Sequence, residues 1–435
     1  MTPLMIGFTG IAVLFVLLAL RVPIAVALGA VSLVGIGFIR GFDAVYGAAR
    51  SMPYAFVAKW ELSSIPMFLL MGSIAYYSGL TASLFKTMRL WFSWLPGGLA
   101  VATNFGCAGF AAASGSSMAT AASMGRLTLP EMARYGYNPG LATGVVAAAG
   151  TLGSLIPPSI MLIIFGMMTE TSIGKLFIAG ILPGILTAVI YAIMIVARCS
   201  WNPELAPAIK EEVTWGERFK ALAATWQLPV LITIVIVSLY SGLATTTEAA
   251  AVGAFAALVM AAMNRNLTFP VISASVIEAL KSTATILFIS FGAIFFSRFL
   301  TFAGLPQYMA GLAETMAHSP LLLLLFVGMI YLILGMFLDP IGLLLLTVPI
   351  FLPFFEAVGY EKVWMGIMVI KFIEIGLITP PVGLNAFVVK GIVGDKVSLG
   401  TIFRGLTWFI GAEIVVVALL TVFPEIVMVL PNRMM

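Results

Sequence analysis

Two apolar stretches hold the residues with the most chemistry to offer: GTLGSLIPPS (150–159) and EIGLITPPVG (374–383). Each sets a glycine four residues ahead of a proline pair, Gly153 before Pro157-Pro158 and Gly376 before Pro380-Pro381. Proline inside a helix removes an N–H and clashes with the preceding turn, at about 3 kcal/mol. Hydrocarbon offers no water to the carbonyls set free. Such a segment is either kinked or interrupted for a purpose. An interrupted helix presents carbonyl oxygens at the end of one limb and amides at the start of the next. The oxygens suit a hard cation such as Na⁺, and the amides suit an anion. Ser154, Ser159 and Thr379 add hydroxyls, and Asn385 adds an amide oxygen. Transmembrane helices do carry lone prolines, but two copies in register, each with its upstream glycine, favour interruption over kinking.

These stretches sit in a chain built for a bilayer. Of 435 residues, 61% are hydrophobic and 9% charged, with 22 basic and 18 acidic side chains giving a net charge of +4. Soluble domains carry about 25% charged residues. The chain reads as an all-α polytopic membrane protein, its sparse charges marking topology and leaving no face for nucleic acid. It also repeats. Gly136-Tyr137 and Leu129-Pro130 recur as Gly359-Tyr360 and Leu352-Pro353 at the offset that relates the two Gly-Pro-Pro segments. The expected organisation is a first repeat over 1–200, a charged cytoplasmic connector over 201–224 containing KEEVTWGERFK, and a second repeat over 225–435.

At ~20 residues per span, the first repeat offers spans near 4–20, 22–39, 62–79, 138–168 and 176–198, with an arm helix at 44–59. The second offers 228–243, 244–263, 284–302, 363–392 and 402–431, with an arm at 270–283. Segments 138–168 and 363–392 are the broken helices. Two further regions, 98–133 and 319–353, are apolar yet rich in glycine, serine or proline at mid-length, which suits re-entrant hairpins. An odd number of crossings per repeat inserts the copies in opposite orientation, the inverted repeat of secondary transporters. With the N-terminus outside, basic residues divide fourteen inside to seven outside, in keeping with the positive-inside bias.

The hairpins supply the second half of a binding site. AAASGSSMATAASMG (111–125) places Ser114, Gly115, Ser116 and Ser117 together between small residues, four turn-formers that close helix packing alone does not require. The corresponding GMFLDPIG (335–342) places Asp339-Pro340 at the matching depth, and an intramembrane carboxylate marks function by default. In a short exposed loop Asp339 would instead be a turn residue or helix cap. Glu248 and Glu374 are further carboxylates at apolar depth. Glu374 lies three residues after Lys371, a helical spacing that suits a structural ion pair.

Several function classes are excluded. No phosphate-binding G-x-x-x-x-G-K-[ST] loop occurs, and SIGKLF lacks both the spacing and the hydroxyl residue. The single histidine, His318, is the one candidate base, so neither a catalytic set nor a histidine-ligated metal or haem is expected. Cys107 and Cys199 give no disulfide framework. The chain is not read as an enzyme, and no cofactor is expected.

ASGSSMATAASMGRLTLPEMARYGYNPGLATGVVAAAGTLGSLIPPSIMLIIFG, with GMFLDPIGLLLLTVPIFLP and EIGLITPPVGLNAFVVKG, closely resembles the large (M) membrane subunit of TRAP transporters. These are the tripartite ATP-independent periplasmic transporters. GLATTTEAAAVGAF is similar to that family's Gly-x-x-Thr-x-Thr-Glu-Ala segment, with Thr246 where proline is common. The likeness covers nearly the whole chain. It implies a permease of the bacterial inner membrane, with an elevator arrangement of scaffold and transport domain. It implies Na⁺ as coupling ion and an organic acid, such as a C4-dicarboxylate or sialic acid, as substrate. The partners implied are a separate small four-helix membrane subunit and a periplasmic substrate-binding protein. Carried onto this sequence, Na⁺ binding falls at Ser114, Gly115, Ser116 and Ser117 with Gly153 and Pro157, and at Gly335 and Asp339 with Gly376, Thr379 and Pro380. Substrate contacts fall at Ser117, Pro158, Ser159, Pro381, Gly383 and Asn385. Arg126 occupies a position where relatives carry other residues and is not carried over. A stand-alone Na⁺/organic-anion carrier of similar fold is the alternative, and a passive channel would need a continuous polar pore that this pattern does not suggest.

Overall fold

The computed structural model describes residues 2–80, 82–207, 213–316 and 320–433; Lys210, His318 and residue 319 lie outside them. Among the described residues the fold is helical throughout. The first half contains α1 (Pro3–Ala19), α2 (Ile24–Arg40), α3 (Phe42–Val57), α4 (Ser64–Tyr77), α5 (Ala82–Phe92), α6 (Gly98–Ser114), α7 (Ser117–Arg134), α8 (Pro139–Gly150), α9 (Ile160–Thr169) and α10 (Ile173–Trp201). The second contains α11 (Trp215–Ala224), α12 (Gln227–Tyr240), α13 (Thr246–Met263), α14 (Phe269–Ala303), α15 (Leu305–Met316), α16 (Pro320–Gly335), α17 (Pro340–Val358), α18 (Lys362–Ile378), α19 (Leu384–Val393), α20 (Leu399–Val422) and the short α21 (Glu425–Met428). Five of these, α10, α13, α14, α17 and α20, are long and apolar enough to cross a bilayer singly.

Helix starts follow local chemistry. Asn138 caps α8, its Oδ1 accepting from the Gly140 N–H at 2.9 Å, with Pro139 at the first helical position. Asp339-Pro340 repeats the device at α17, with Oδ2 accepting from the Gly342 N–H at 2.8 Å. Each such cap contributes about 0.5–2 kcal/mol, and proline is tolerated where the N–H has no helical partner.

The halves pack in matching ways. α6 lies on α8 as α16 lies on α18, α7 on α19 as α17 on α9, and α8 on α20 as α18 on α10. Each hairpin thus seats against the second limb of the other half's broken helix. A second group repeats the exchange, with α2 on α14 and α13 on α4.

Three features differ from the sequence expectations. Residues 270–283 form no separate arm helix but the first turns of the 35-residue α14, which continues through the span without a break. Within 201–224, Trp201 ends α10 and residues 215–224 form α11, which docks on α5. The Trp91 ring meets Trp215 and Phe219 there, and the Trp91 N–H donates to the Arg218 carbonyl at 3.2 Å. Glu248 is an exposed helix cap, completing a capping box with Thr245 at the start of α13. The amphipathic pattern of α5, α11 and α15 is short and was not separable from loop by hydropathy alone.

Candidate functional site

The first break is a compact cluster of oxygens. Helix α6 ends at Ser114, and Gly115 turns the chain with φ +61°, a conformation glycine adopts without steric cost. Ser116 then caps α7, its Oγ accepting from the Ala119 N–H at 3.4 Å. Across from this turn, α8 tightens at Thr151–Ser154 into a 3₁₀ turn and runs through Pro157 and Pro158 to Ser159, which caps α9. The Pro157-Pro158 and Pro380-Pro381 peptides are both cis.

Turn and break meet directly. The Ser117 hydroxyl bonds the Ser154 hydroxyl and donates to the Thr151 carbonyl at 3.3 Å, while the Ser159 hydroxyl bonds the Ser154 carbonyl. Ser114 Oγ lies 2.8 Å from Thr120 Oγ1, which donates to the Ser116 carbonyl at 2.8 Å. The Ile160 N–H reaches the Gly115 carbonyl at 3.3 Å. A Cβ at Gly153 would stand 2.5 Å from the Ser116 oxygen, so only glycine permits this approach. Ser117, Ser154 and Ser159 are buried. The result is a water-poor nest of hydroxyl and carbonyl oxygens without a formal charge, which matches a weakly charged hard cation.

The second break has the same plan but opens outward. Gly335, ending α16, touches Gly376 near the end of α18: a Cβ on Gly376 would come within 2.7 Å of the Gly335 Cα. Thr379 follows, its hydroxyl donating to the Ile375 carbonyl at 2.6 Å, and the Gly383 N–H donates to the Met336 carbonyl at 3.2 Å. Asp339 is half-buried and caps α17, which leaves Oδ1 as an acceptor. Pro380 and Pro381 are exposed, whereas Pro157 and Pro158 are buried.

A cavity of about 640 Å³ runs along the first hairpin, between α4 and α14. Ser114 and Ser116 are among its lining residues, with Ile341 two residues past Asp339. Arg126 on α7 and Lys281 on α14 face it, beside Glu278, whose carboxylate accepts from the Tyr77 hydroxyl at 2.5 Å. Two cations against one hydrogen-bonded carboxylate leave the cavity net positive, so it favours an organic anion.

None of the six residues expected to contact substrate lines this cavity, although Ser114 and Ser116, expected at a cation site, do. Asn385 is fully buried and donates to the Ala147 carbonyl at 3.1 Å, because the buried face of α19 packs on α8. That bond ties the two halves together and leaves its Oδ1 without a partner among the described residues. Pro158 and Ser159 are buried against the hairpin turn, and Pro381 and Gly383 belong to the second break; none of the four is in the cavity lining. The sequence reading names Arg126 without carrying it over and does not single out Lys281, Tyr77 or Glu278 as lining a cavity. The signal was present for Arg126, a cation twelve residues past Ser114 on the same hairpin. The α14 pair became recognisable only once α4 and α14 were seen to face that hairpin.

Comparison with known proteins bears on the family and the fold. The profile of the tripartite ATP-independent periplasmic transporter DctM component matches residues 11–426. The C4-dicarboxylate TRAP transporter large permease protein of Pseudomonas aeruginosa is 37% identical, over 86% of this chain and 86% of its own. The sialic acid TRAP transporter large permease protein of Vibrio cholerae is 32% identical, over 86% and 87%. Among solved structures, the Alcanivorax borkumensis YdaH transporter aligns with TM-score 0.63 at 15% identity over 88% of this chain and 89% of its own. Neisseria gonorrhoeae MtrF aligns with TM-score 0.64 at 14% identity over 96% and 95%. At these identities the structures speak for a shared fold alone.

Proposed function

Because the chain belongs to the tripartite ATP-independent periplasmic transporter family as its DctM component, a large multi-pass membrane permease, we propose that it imports an organic acid across the bacterial inner membrane by coupling to Na⁺. The relatives' C4-dicarboxylate and sialic acid substrates support a carboxylate-bearing solute of that size. The observation that carries the reading is the pair of glycine-and-proline breaks, each packed against a hairpin turn and lined by oxygens. In this reading Na⁺ is co-substrate: one ion is held by the Ser114–Ser117 turn with Gly153, Ser154 and Pro157, the other by Gly335 and Asp339 with Gly376, Thr379 and Pro380.

The organic acid enters the cavity beside Ser114 and Ser116 with its carboxylate toward Arg126 and Lys281. An ion in the first nest adds positive charge at the inner end, so each solute strengthens binding of the other. The exchanged packing of the two halves supports an inverted repeat. The arrangement of a hairpin-bearing group beside a second group supports an elevator movement of the former against the latter. Arg126 and Lys281 belong to the side that the basic-residue count makes internal, so the cavity is read as open to the cytoplasm and the N-terminus as periplasmic. Membership of a tripartite family supports two separate partners, a small four-helix membrane subunit and a periplasmic binding protein. Importing a monoanion with two Na⁺ carries net positive charge inward, and the membrane potential contributes ~2.3 kcal/mol per charge per 100 mV.

The test is uptake into proteoliposomes containing the chain and its partners, with an inward gradient of Na⁺ or of K⁺. Uptake is expected with Na⁺ alone; equal uptake with K⁺ would remove the coupling. Omitting the binding protein separates this reading from a stand-alone carrier, which would transport without it. In the same assay Arg126→Ala is expected to raise the substrate concentration for half-maximal uptake about 10- to 100-fold, the loss of one charge-assisted contact of ~1.5–3 kcal/mol. An unchanged value would take Arg126 out of the substrate's path.

A further inference from the structure

The cavity beside the first hairpin holds more polar chemistry than one carboxylate can use. Faces of α4, α7 and α14 wall it. Hydroxyls within helices tend to bond back onto the preceding turn, and each of these helices has one that does. Ser64 donates to the Glu61 carbonyl at 2.6 Å, Thr120 to the Ser116 carbonyl at 2.8 Å and Thr283 to the Ala279 carbonyl at 2.7 Å. None of those three lines the cavity. The serines that do line it from the same helices, Ser73, Ser123 and Ser282, bond no protein group among the described residues. All three are half-buried. Each offers a donor and an acceptor to a solute.

The charged groups are ordered as well. Glu278, Lys281, Ser282 and Thr285 follow one another on α14 at three- and four-residue spacings, so they share one face of the helix. Glu278 Oε2 accepts from the Tyr77 hydroxyl, which leaves Oε1 as a further acceptor. Neither Arg126 nor Lys281 forms an ion pair among the described residues, and Arg126 is near enough for its charge to act on the Tyr77 hydroxyl. Tyr76 and Phe110 add an aromatic surface to the lining, their ring centroids 5.9 Å apart.

Two cations thus address one carboxylate. A second carboxylate on the same solute would meet Glu278, and like charges brought together lose affinity. A hydroxyl in that place would instead donate to Glu278 Oε1. We propose that the cavity selects a sugar acid, a solute with one carboxylate and several hydroxyls, and that Glu278 sets the choice. Its carboxylate, oriented by the Tyr77 O–H, accepts from the solute's hydroxyls and repels a second carboxylate. Ser73, Ser123 and Ser282 bond the remaining hydroxyls, and the aromatic surface packs on the C–H face of the ring. This rests on the cavity's being the substrate site and narrows the solute it takes.

The test is binding to the purified chain in a sodium buffer, read as the ligand-dependent rise in melting temperature. D-Glucuronate supplies a six-membered ring with one carboxylate and several hydroxyls. Cyclohexanecarboxylate keeps the ring size and the charge without the hydroxyls, and succinate brings two carboxylates. D-Glucuronate is expected to half-saturate at least about tenfold below either of the others, because a site built for hydroxyls rejects a solute that leaves its polar groups unpaired. Glu278→Gln keeps an oxygen for Tyr77 and for a solute hydroxyl but loses the charge. It is expected to tighten succinate at least about fivefold, while D-glucuronate changes less than about threefold.

Succinate or cyclohexanecarboxylate binding as tightly as D-glucuronate, or a succinate affinity unmoved by Glu278→Gln, overturns the selection. Arg126→Ala tells that failure from a failure of the site. If it weakens every acid, the site stands and only the preference falls. If no probe binds, or if Arg126→Ala alters none of them, the cavity does not hold the acid and the preference falls with it. Should Glu278→Gln fail to fold, the ranking of the three probes in the parent still decides.

Discussion

Replacing Gly153 with alanine is expected to cut Na⁺-driven uptake at least tenfold in a protein that still folds and inserts. The added Cβ would fall 2.5 Å from the Ser116 carbonyl oxygen and 2.8 Å from Thr120 Oγ1. Both belong to the hairpin turn, and neither is the free end of a long side chain that could swing aside. The turn must therefore retreat from the break, separating Ser117 from Ser154 and the Thr151 carbonyl. Overpacking of this kind costs about 1–3 kcal/mol, too little to unfold a helical bundle but enough to dismantle a site defined by its oxygen spacing. Uptake by the alanine variant at the parent's rate and Na⁺ requirement would show that the first break holds no coupling ion.

Asp339→Asn separates charge from structure at the second break. Asparagine caps a helix as well as aspartate does, so the bond to the Gly342 N–H, 2.8 Å in the parent, has a replacement and α17 should start at the same residue. What disappears is the formal charge. A charge-assisted ligand contributes ~1.5–3 kcal/mol, so the Na⁺ concentration for half-maximal uptake should rise about 10- to 100-fold while expression stays near the parent's. Asp339→Ala loses the cap as well and should also lower stability, by about 0.5–2 kcal/mol. If Asp339→Asn kept the parent's Na⁺ dependence, Asp339 would be a helix cap and nothing more.

The sequence was most informative where the chain departs from its own apolar background. Gly153, Pro157-Pro158 and Ser114–Ser117 stand out because a bilayer tolerates such residues at few places, and the structure brings them into contact. The Lys371–Glu374 pair was visible from its spacing and forms at 3.0 Å. A third member, Glu413 on α20 at 2.7 Å from the Lys371 ammonium, was not, since nothing in a linear pattern joins α18 to α20 across 39 residues. The same limit hid the cavity. Its basic residues come from α7 and α14, elements whose meeting depends on how the halves exchange partners. Asn385, offered by the sequence as an amide oxygen beside the diproline pair, uses its N–H on the Ala147 carbonyl and leaves Oδ1 without a partner among the described residues. Glu248 was misplaced because the apolar runs beyond the threonines on one side and from Ala249 on the other masked a helix start, although Thr245 three residues earlier carries the capping-box pattern.

Equilibrium binding of radioactive sodium to the purified chain reads the two nests directly, without partners, gradient or substrate. Two saturable classes are expected, one lost in Gly153→Ala and the other weakened in Asp339→Asn. Saturable binding that neither substitution alters, or no saturable binding at all, would contradict Na⁺ coordination at the paired breaks.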